Sequence, residues 1–159
     1  MPADFDLGAL RAALDDRRAA LGLRWAAIAT ELGVSASTLS GFGSRTVAEG
    51  DGVLRAVAWL GRIPESFVPG FDGDGRWRDL PGSPRWLRFD VPALYAALDA
   101  ARLARGLTWR DVAKVSGAPS ASVLSRLEAG GRVMFPQVTR TLAWLGAPAT
   151  RFVRVTGPA

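Results

Sequence analysis

Apolar residues recur along the chain at helical spacing in two series. Leu7, Leu10 and Leu14 follow an i, i+3, i+7 pattern, and Val91, Leu94 and Leu98 repeat it. Asp6 and Asp90 stand before these runs as N-caps, so each series is expected to open with a helix. A shorter second helix is predicted from about Arg24 to Leu32 and from about Thr108 to Ser116, stopped by Gly33 and Gly117. Thr108 is a good N-cap for the later copy, with Asp111 as an acidic first-turn residue. The third helix follows at once, capped by Ser35 or Ser120 and running through Ser37-Thr38-Leu39-Ser40 or Ser122-Val123-Leu124-Ser125. Val53, Val57 and Leu60, mirrored by Val138, Leu142 and Leu145, predict a fourth helix. A last short helix opens at Pro64 or Pro148 and buries Phe67 or Phe152. No stretch reads as a strand.

The two series are copies of one unit. At an offset of 84, Phe5, Asp6, Leu10, Leu23, Trp25, Ile28 and Gly33 match Phe89, Asp90, Leu94, Leu107, Trp109, Val112 and Gly117. One inserted residue later, at an offset of 85, Leu39, Val57, Trp59, Gly61 and Phe67 match Leu124, Leu142, Trp144, Gly146 and Phe152. The expected organisation is therefore all-α: two tandem five-helix domains over residues 4–69 and 89–156, joined by a Gly-, Pro- and Trp-containing linker over 70–88. Trp77 and Trp86 in that linker point to partial packing onto a domain, which would shorten its reach. Two short helices about a tight glycine turn, found in each unit, form a helix-turn-helix.

Composition narrows the chemistry. Cysteine and histidine are both absent from the 159 residues, which removes disulfides, thiolate nucleophiles, imidazole bases and most zinc sites. Asp15-Asp16 and the linker acids offer carboxylates, but no phosphate-cradling glycine loop accompanies them, so an enzyme is not expected and no cofactor or metal is implied. No apolar run approaches the roughly 20 residues of a membrane span, and Met1-Pro2-Ala3-Asp4-Phe5-Asp6 lacks the pattern of a leader; a cytoplasmic location is the expectation. The net charge is +5, and all but one of the 20 basic residues are arginine, Lys114 being the exception. Arginine suits phosphate and guanine because its planar fork donates two parallel hydrogen bonds, although a GC-rich genome also favours it. The charge is unevenly placed: residues 1–80 carry nine arginines against eleven acids, and residues 81–159 carry eleven basic residues against four acids. Attraction for nucleic acid is thus expected mainly from the second unit.

The segments Gly22-Leu23-Arg24-Trp25-Ala26-Ala27-Ile28-Ala29-Thr30-Glu31-Leu32-Gly33-Val34-Ser35 and Gly106-Leu107-Thr108-Trp109-Arg110-Asp111-Val112-Ala113, the latter continued by Ser120 to Gly130, resemble the lambda-repressor-like, Xre-type helix-turn-helix family, in the variants with Trp opening the second helix. The resemblance implies a transcriptional regulator that lays the start of its third helix in the major groove of double-stranded DNA. Carried onto this chain, Ala36, Ser37 and Gly41, with Ala121, Ser122 and Arg126, face the bases, and only Arg126 is a strong reader. The phosphate backbone falls to Trp25, Thr38, Arg45, Trp109, Arg110 and Arg132. The linker, extended, would reach roughly 60 Å, beyond the roughly 34 Å between adjacent half-sites.

Several residues also have a structural explanation, among them the small Ser and Ala residues opening the third helix, which are good capping and packing choices. Trp25 and Trp109 can close the core, Trp59 and Trp144 sit among the apolar positions of the fourth helix, and Arg126 can pair with Glu128. Arg17, Arg18, Arg102 and Arg105 suit a helix C-terminus without any ligand. The weak recognition surface and acidic surroundings of the first unit leave a second reading open. In it the scaffold is a protein-interaction module, antitoxin-like or self-associating, and the first repeat holds a protein partner or a second copy.

Overall fold

The structure, a computed structural model, describes residues 3–157; Met1 and Pro2 of the N-terminal segment read above lie outside that range. The described chain is mostly helical. The first repeat contains α1 (Leu7–Leu21), α2 (Trp25–Leu32), α3 (Ala36–Ser40) and α4 (Gly50–Trp59), and the second contains α5 (Val91–Ala104), α6 (Trp109–Ser116), α7 (Ala121–Ser125) and α8 (Val138–Leu145). The expected caps form. The Asp6 carboxylate accepts the Ala9 N–H, Asp90 accepts that of Ala93, Ser35 that of Thr38 and Ser120 that of Val123. Gly33 and Gly117 end α2 and α6 with φ of 66° and 72°, a left-handed backbone that side chains with a Cβ resist.

Two features correct the all-α expectation. Among the described residues there are four short strands: β1 (Ala48–Glu49), β2 (Leu87–Phe89), β3 (Met134–Phe135) and β4 (Val153–Val155). They make two antiparallel pairs, β1 with β3 and β2 with β4. The predicted fifth helix of each unit is a single 3-10 turn, Pro64–Phe67 and Ala149–Phe152. Strands of two or three residues are too short for an alternating pattern, and their partners lie far away in sequence.

The pairings show how the repeats are related. β2 and β4 tie the start of the second repeat to its end, where the Asp90 N–H also donates to Phe152 O; in the first repeat the Asp6 N–H donates to Phe67 O in the same way. There Pro69 lacks the N–H that the counterpart of β4 would need, and no strand forms. β1 and β3 instead join one repeat to the other. Glu49 lies opposite Met134, its own equivalent at the offset of 85, flanked on one side by Ala48 opposite Phe135 and on the other by the Gly50 N–H donating to Val133 O at 2.7 Å. A residue paired with its own copy in an antiparallel ladder marks a local pseudo-twofold axis.

Other equivalent groups meet across this axis. The 3-10 turns Pro64–Phe67 and Ala149–Phe152 touch. Arg55 of α4 donates to Leu87 O, the strand entering the second repeat, and Arg140, its equivalent on α8, bonds Asp4 at the entry to the first. The buried apolar residues of both repeats form one continuous cluster, into which Trp77 and Leu87 of the connecting segment also fall. That segment folds back on the first repeat, the Trp77 N–H donating to Gly61 O and the Ile63 N–H to Gly75 O.

The symmetry is broken at Gly50 and Phe135. The Phe135 ring is fully buried and takes the space at the axis, with Phe5 at 4.6 Å and Phe89 at 6.0 Å between centroids. A Cβ on Gly50 would stand 2.6 Å from Val133 O and 3.1 Å from the Phe89 ring. Gly50→Ala is therefore expected to destabilise the chain by about 1–3 kcal/mol through overpacking, read as a lower urea midpoint with unchanged slope.

Glu65 is a second asymmetric contact at this junction. Its Oε1 accepts the Ala149 N–H at 2.8 Å, while Oε2 is buried without a partner. Burial raises its pKa above the usual carboxylate value, and the Ala149 hydrogen bond only partly opposes the rise. A raised folded-state pKa means the folded chain binds the proton more tightly than the unfolded one, so stability falls as pH climbs from the ordinary Glu value through the raised one. Glu65→Gln keeps the acceptor and removes the charge. It is expected to stabilise the protein at neutral pH by on the order of 1 kcal/mol, an advantage that vanishes below the ordinary carboxylate range in melts run against pH.

Candidate nucleic-acid interface

The first turns of α3 and α7 carry small hydroxyl-bearing side chains that the caps hold in place. Ser35 Oγ lies 3.2 Å from Ser37 Oγ and 2.6 Å from Thr38 Oγ1, and Ser120 Oγ lies 3.0 Å from Ser122 Oγ. Ser37 and Ser122 are exposed, whereas Ala36, Thr38 and Ala121 are half-buried. Leu39 and Leu124 anchor the two helices in the core from the opposite side. In α7 the place of Thr38 is taken by Val123, an exposed apolar side chain.

Basic residues border both helices without being neutralised. Arg45, Arg110, Arg126 and Arg132 are exposed, and among the described residues none has an acid within ion-pair distance. The pairing of Arg126 with Glu128 does not occur. Asp111, next to Arg110, serves the capping box of α6, and hydrogen bonds from the Thr108 backbone and hydroxyl hold its carboxyl below the usual range.

In the first repeat Gly41 stands where the second has Arg126. A Cβ on Gly41 would lie 3.0 Å from Arg45 Nε, so the Arg45 guanidinium crosses the space that a side chain at position 41 would fill. Each repeat thus places one free arginine at the end of its third helix, from a different position in the chain. Sequence alignment hides this, because Arg45 matches Gly130 and Arg132 matches Val47.

The tryptophans that open α2 and α6 lean on the preceding helix. Arg11 and Arg18 stack on Trp25 at 5.1 and 5.3 Å. Arg102 stacks on Trp109 at 4.9 Å, and Tyr95 replaces Arg11 with its ring 5.5 Å away. Arg18 and Arg102 also bond Asp15 and Asp99 and donate to Leu23 O and Leu107 O. Arg17 donates to Trp59 O, and Arg105 lies over Trp144. These four late arginines hold structure together, as a helix C-terminus favours. Trp25 and Trp109 remain half-buried, each with part of its surface open.

Sequence reasoning passed over Arg85. Its side chain donates to Thr30 O at the C-terminal turn of α2, where Arg55 donates to Leu32 O and Gly33 O. One cation from α4 and one from the connecting segment therefore lock the turn ahead of α3. Their position in the chain carried no signal, since Arg85 acts 55 residues from its partner.

Comparison with protein-family models, curated proteins and solved structures finds no match. Among the described residues no helix is long and apolar enough to cross a membrane, and no cluster of acidic, His or Cys side chains could hold a metal ion.

Proposed function

We propose that the protein is a sequence-specific DNA-binding transcriptional regulator of the Xre helix-turn-helix type. In this reading the α2–α3 and α6–α7 pairs are its two reading units, and one chain presents both to duplex DNA. The observation that carries the reading is the local pseudo-twofold pairing of Glu49 with Met134, which joins two repeats that each expose a serine at the start of the third helix, Ser37 or Ser122, beside arginines without an acidic partner, Arg45 in the first and Arg126 and Arg132 in the second. A dyad in the protein fits a dyad in the operator, with one half-site under each unit.

The second unit reads bases more strongly. Arg126 offers a bidentate contact to guanine, and Val123 offers an apolar contact to a thymine methyl. Ser37, Ser122, Ala36 and Ala121 supply close, small-residue contacts. Arg45, Arg110, Arg132, Thr38 and the open sides of Trp25 and Trp109 meet phosphate and sugar.

The test is selection of bound sequences from random duplex DNA at two salt concentrations. An imperfect palindrome with steep salt dependence is the expected result. Retention of no DNA at low salt overturns the reading and leaves the protein-interaction module, with the first repeat holding a protein or a second copy.

A further inference from the structure

Beside α7 lies a cavity of about 230 Å³. Its floor is made by buried Leu94, Leu124, Leu127, Val133 and Val138, with the Thr141 side chain also lining it. Its rim carries Val47, Val123 and Arg132, all exposed. Val47 comes from the first repeat, so both copies of the unit enclose the space.

The sister repeat shows how this position looks when filled. Leu127 corresponds to Phe42 at the offset of 85, and the Phe42 ring is buried in the first repeat's core with 1% exposure. Thr141, by contrast, stands where the first repeat has the smaller Ala56. At position 127 the second repeat carries a smaller side chain than the sister ring, and the cavity lies against it. An apolar cavity of about 150 Å³ already admits a benzene-sized ligand, so this one has room for an acyl chain or a substituted ring. The rim sets the other end of the ligand: Arg132 is a cation without an acidic partner among the described residues, next to two valines whose apolar surface lies open to water.

We propose that this cavity binds a small amphipathic carboxylate, a medium-chain or aryl-substituted acid. Its apolar part lies against Leu94, Leu124 and Val138, and its carboxylate pairs with Arg132. The occupant covers Val47 and Val123 and so touches both repeats. One consequence rests on the DNA reading above: carboxylate and phosphate would compete for the Arg132 guanidinium, making the acid an antagonist of DNA binding.

Calorimetric titration of the full chain with octanoate, and with octanol as an uncharged probe, tests the site. Octanoate is expected to bind one per chain, and Arg132→Ala to weaken it about tenfold while leaving octanol unchanged. Leu127→Phe restores the sister repeat's ring and is expected to abolish binding of both probes, with a cooperative melt confirming that the variant folds. Should it not fold, Thr141→Leu fills the same space from α8. No binding of octanoate at millimolar concentration, or undiminished binding in the filled variant, overturns the proposal. Octanoate binding in a protein that retains no DNA removes the DNA reading alone, and DNA binding without octanoate binding removes the cavity proposal alone.

Discussion

Replacing Phe135 by Ala is expected to cost about 3–5 kcal/mol and to lower the melting midpoint by on the order of 10 °C, with both repeats unfolding in one transition. The ring is fully buried at the pseudo-twofold axis, where it touches the entering phenylalanine of each repeat, Phe5 and Phe89. Its loss leaves a void that neither copy can close by itself, because Gly50 on the opposite side has no side chain to offer. Native-state hydrogen exchange distinguishes a shared core from two independent ones. A shared core predicts that amides of α1 and α5 lose protection together in Phe135→Ala. Loss confined to α5 would show that the first repeat stands alone.

The second large effect concerns Arg126. On the DNA reading, Arg126→Ala is expected to weaken binding to the selected operator by about 1–3 kcal/mol, a factor of roughly 5 to 150, and to relax the preference at one base pair of one half-site. Arg45→Ala should behave differently. Its guanidinium lies across Gly41 and reaches the surface from the loop after α3, so its removal is expected to weaken all sequences alike and to reduce the salt slope by about one. Affinity series on the operator and on a scrambled duplex separate the two. An equal loss on both duplexes in Arg126→Ala would reduce that residue to a phosphate contact.

The helices were legible in the sequence because their causes are local. Leucines three and four apart, aspartates and serines at the caps, and glycines at the stops each act within one or two turns. The strands had no such signature. Glu49 and Met134 pair because two distant turns meet, and nothing in either dipeptide announces it. The same holds for Glu65, whose partner is the Ala149 N–H, and for Arg85 at the end of α2. For the candidate interface, sequence supplied the exposed serines and Arg126. For the first repeat it names Arg45 as a backbone contact but does not place it at Gly41. The arginine there arrives from position 45, and only the folded loop brings it over the glycine. The cavity was invisible for a related reason: exchanging Phe42 for Leu127 looks conservative until the surrounding volume is known.

The antiparallel pairing of Glu49 with Met134 joins two half-molecules that share a single polypeptide. A regulator assembled from separate subunits must first find its partner, and its occupancy of a site then rises with the square of a dilute subunit concentration. On the DNA reading, each half of this chain has its partner covalently supplied, so pairing of the two halves is independent of abundance, and the site occupancy of a single chain would follow protein concentration linearly down to single copies per cell. The tether also frees the halves from identity. One half can keep a filled core while the other opens a cavity, and a mixed pair forms every time without the statistical loss that co-expressed, unlinked subunits would suffer.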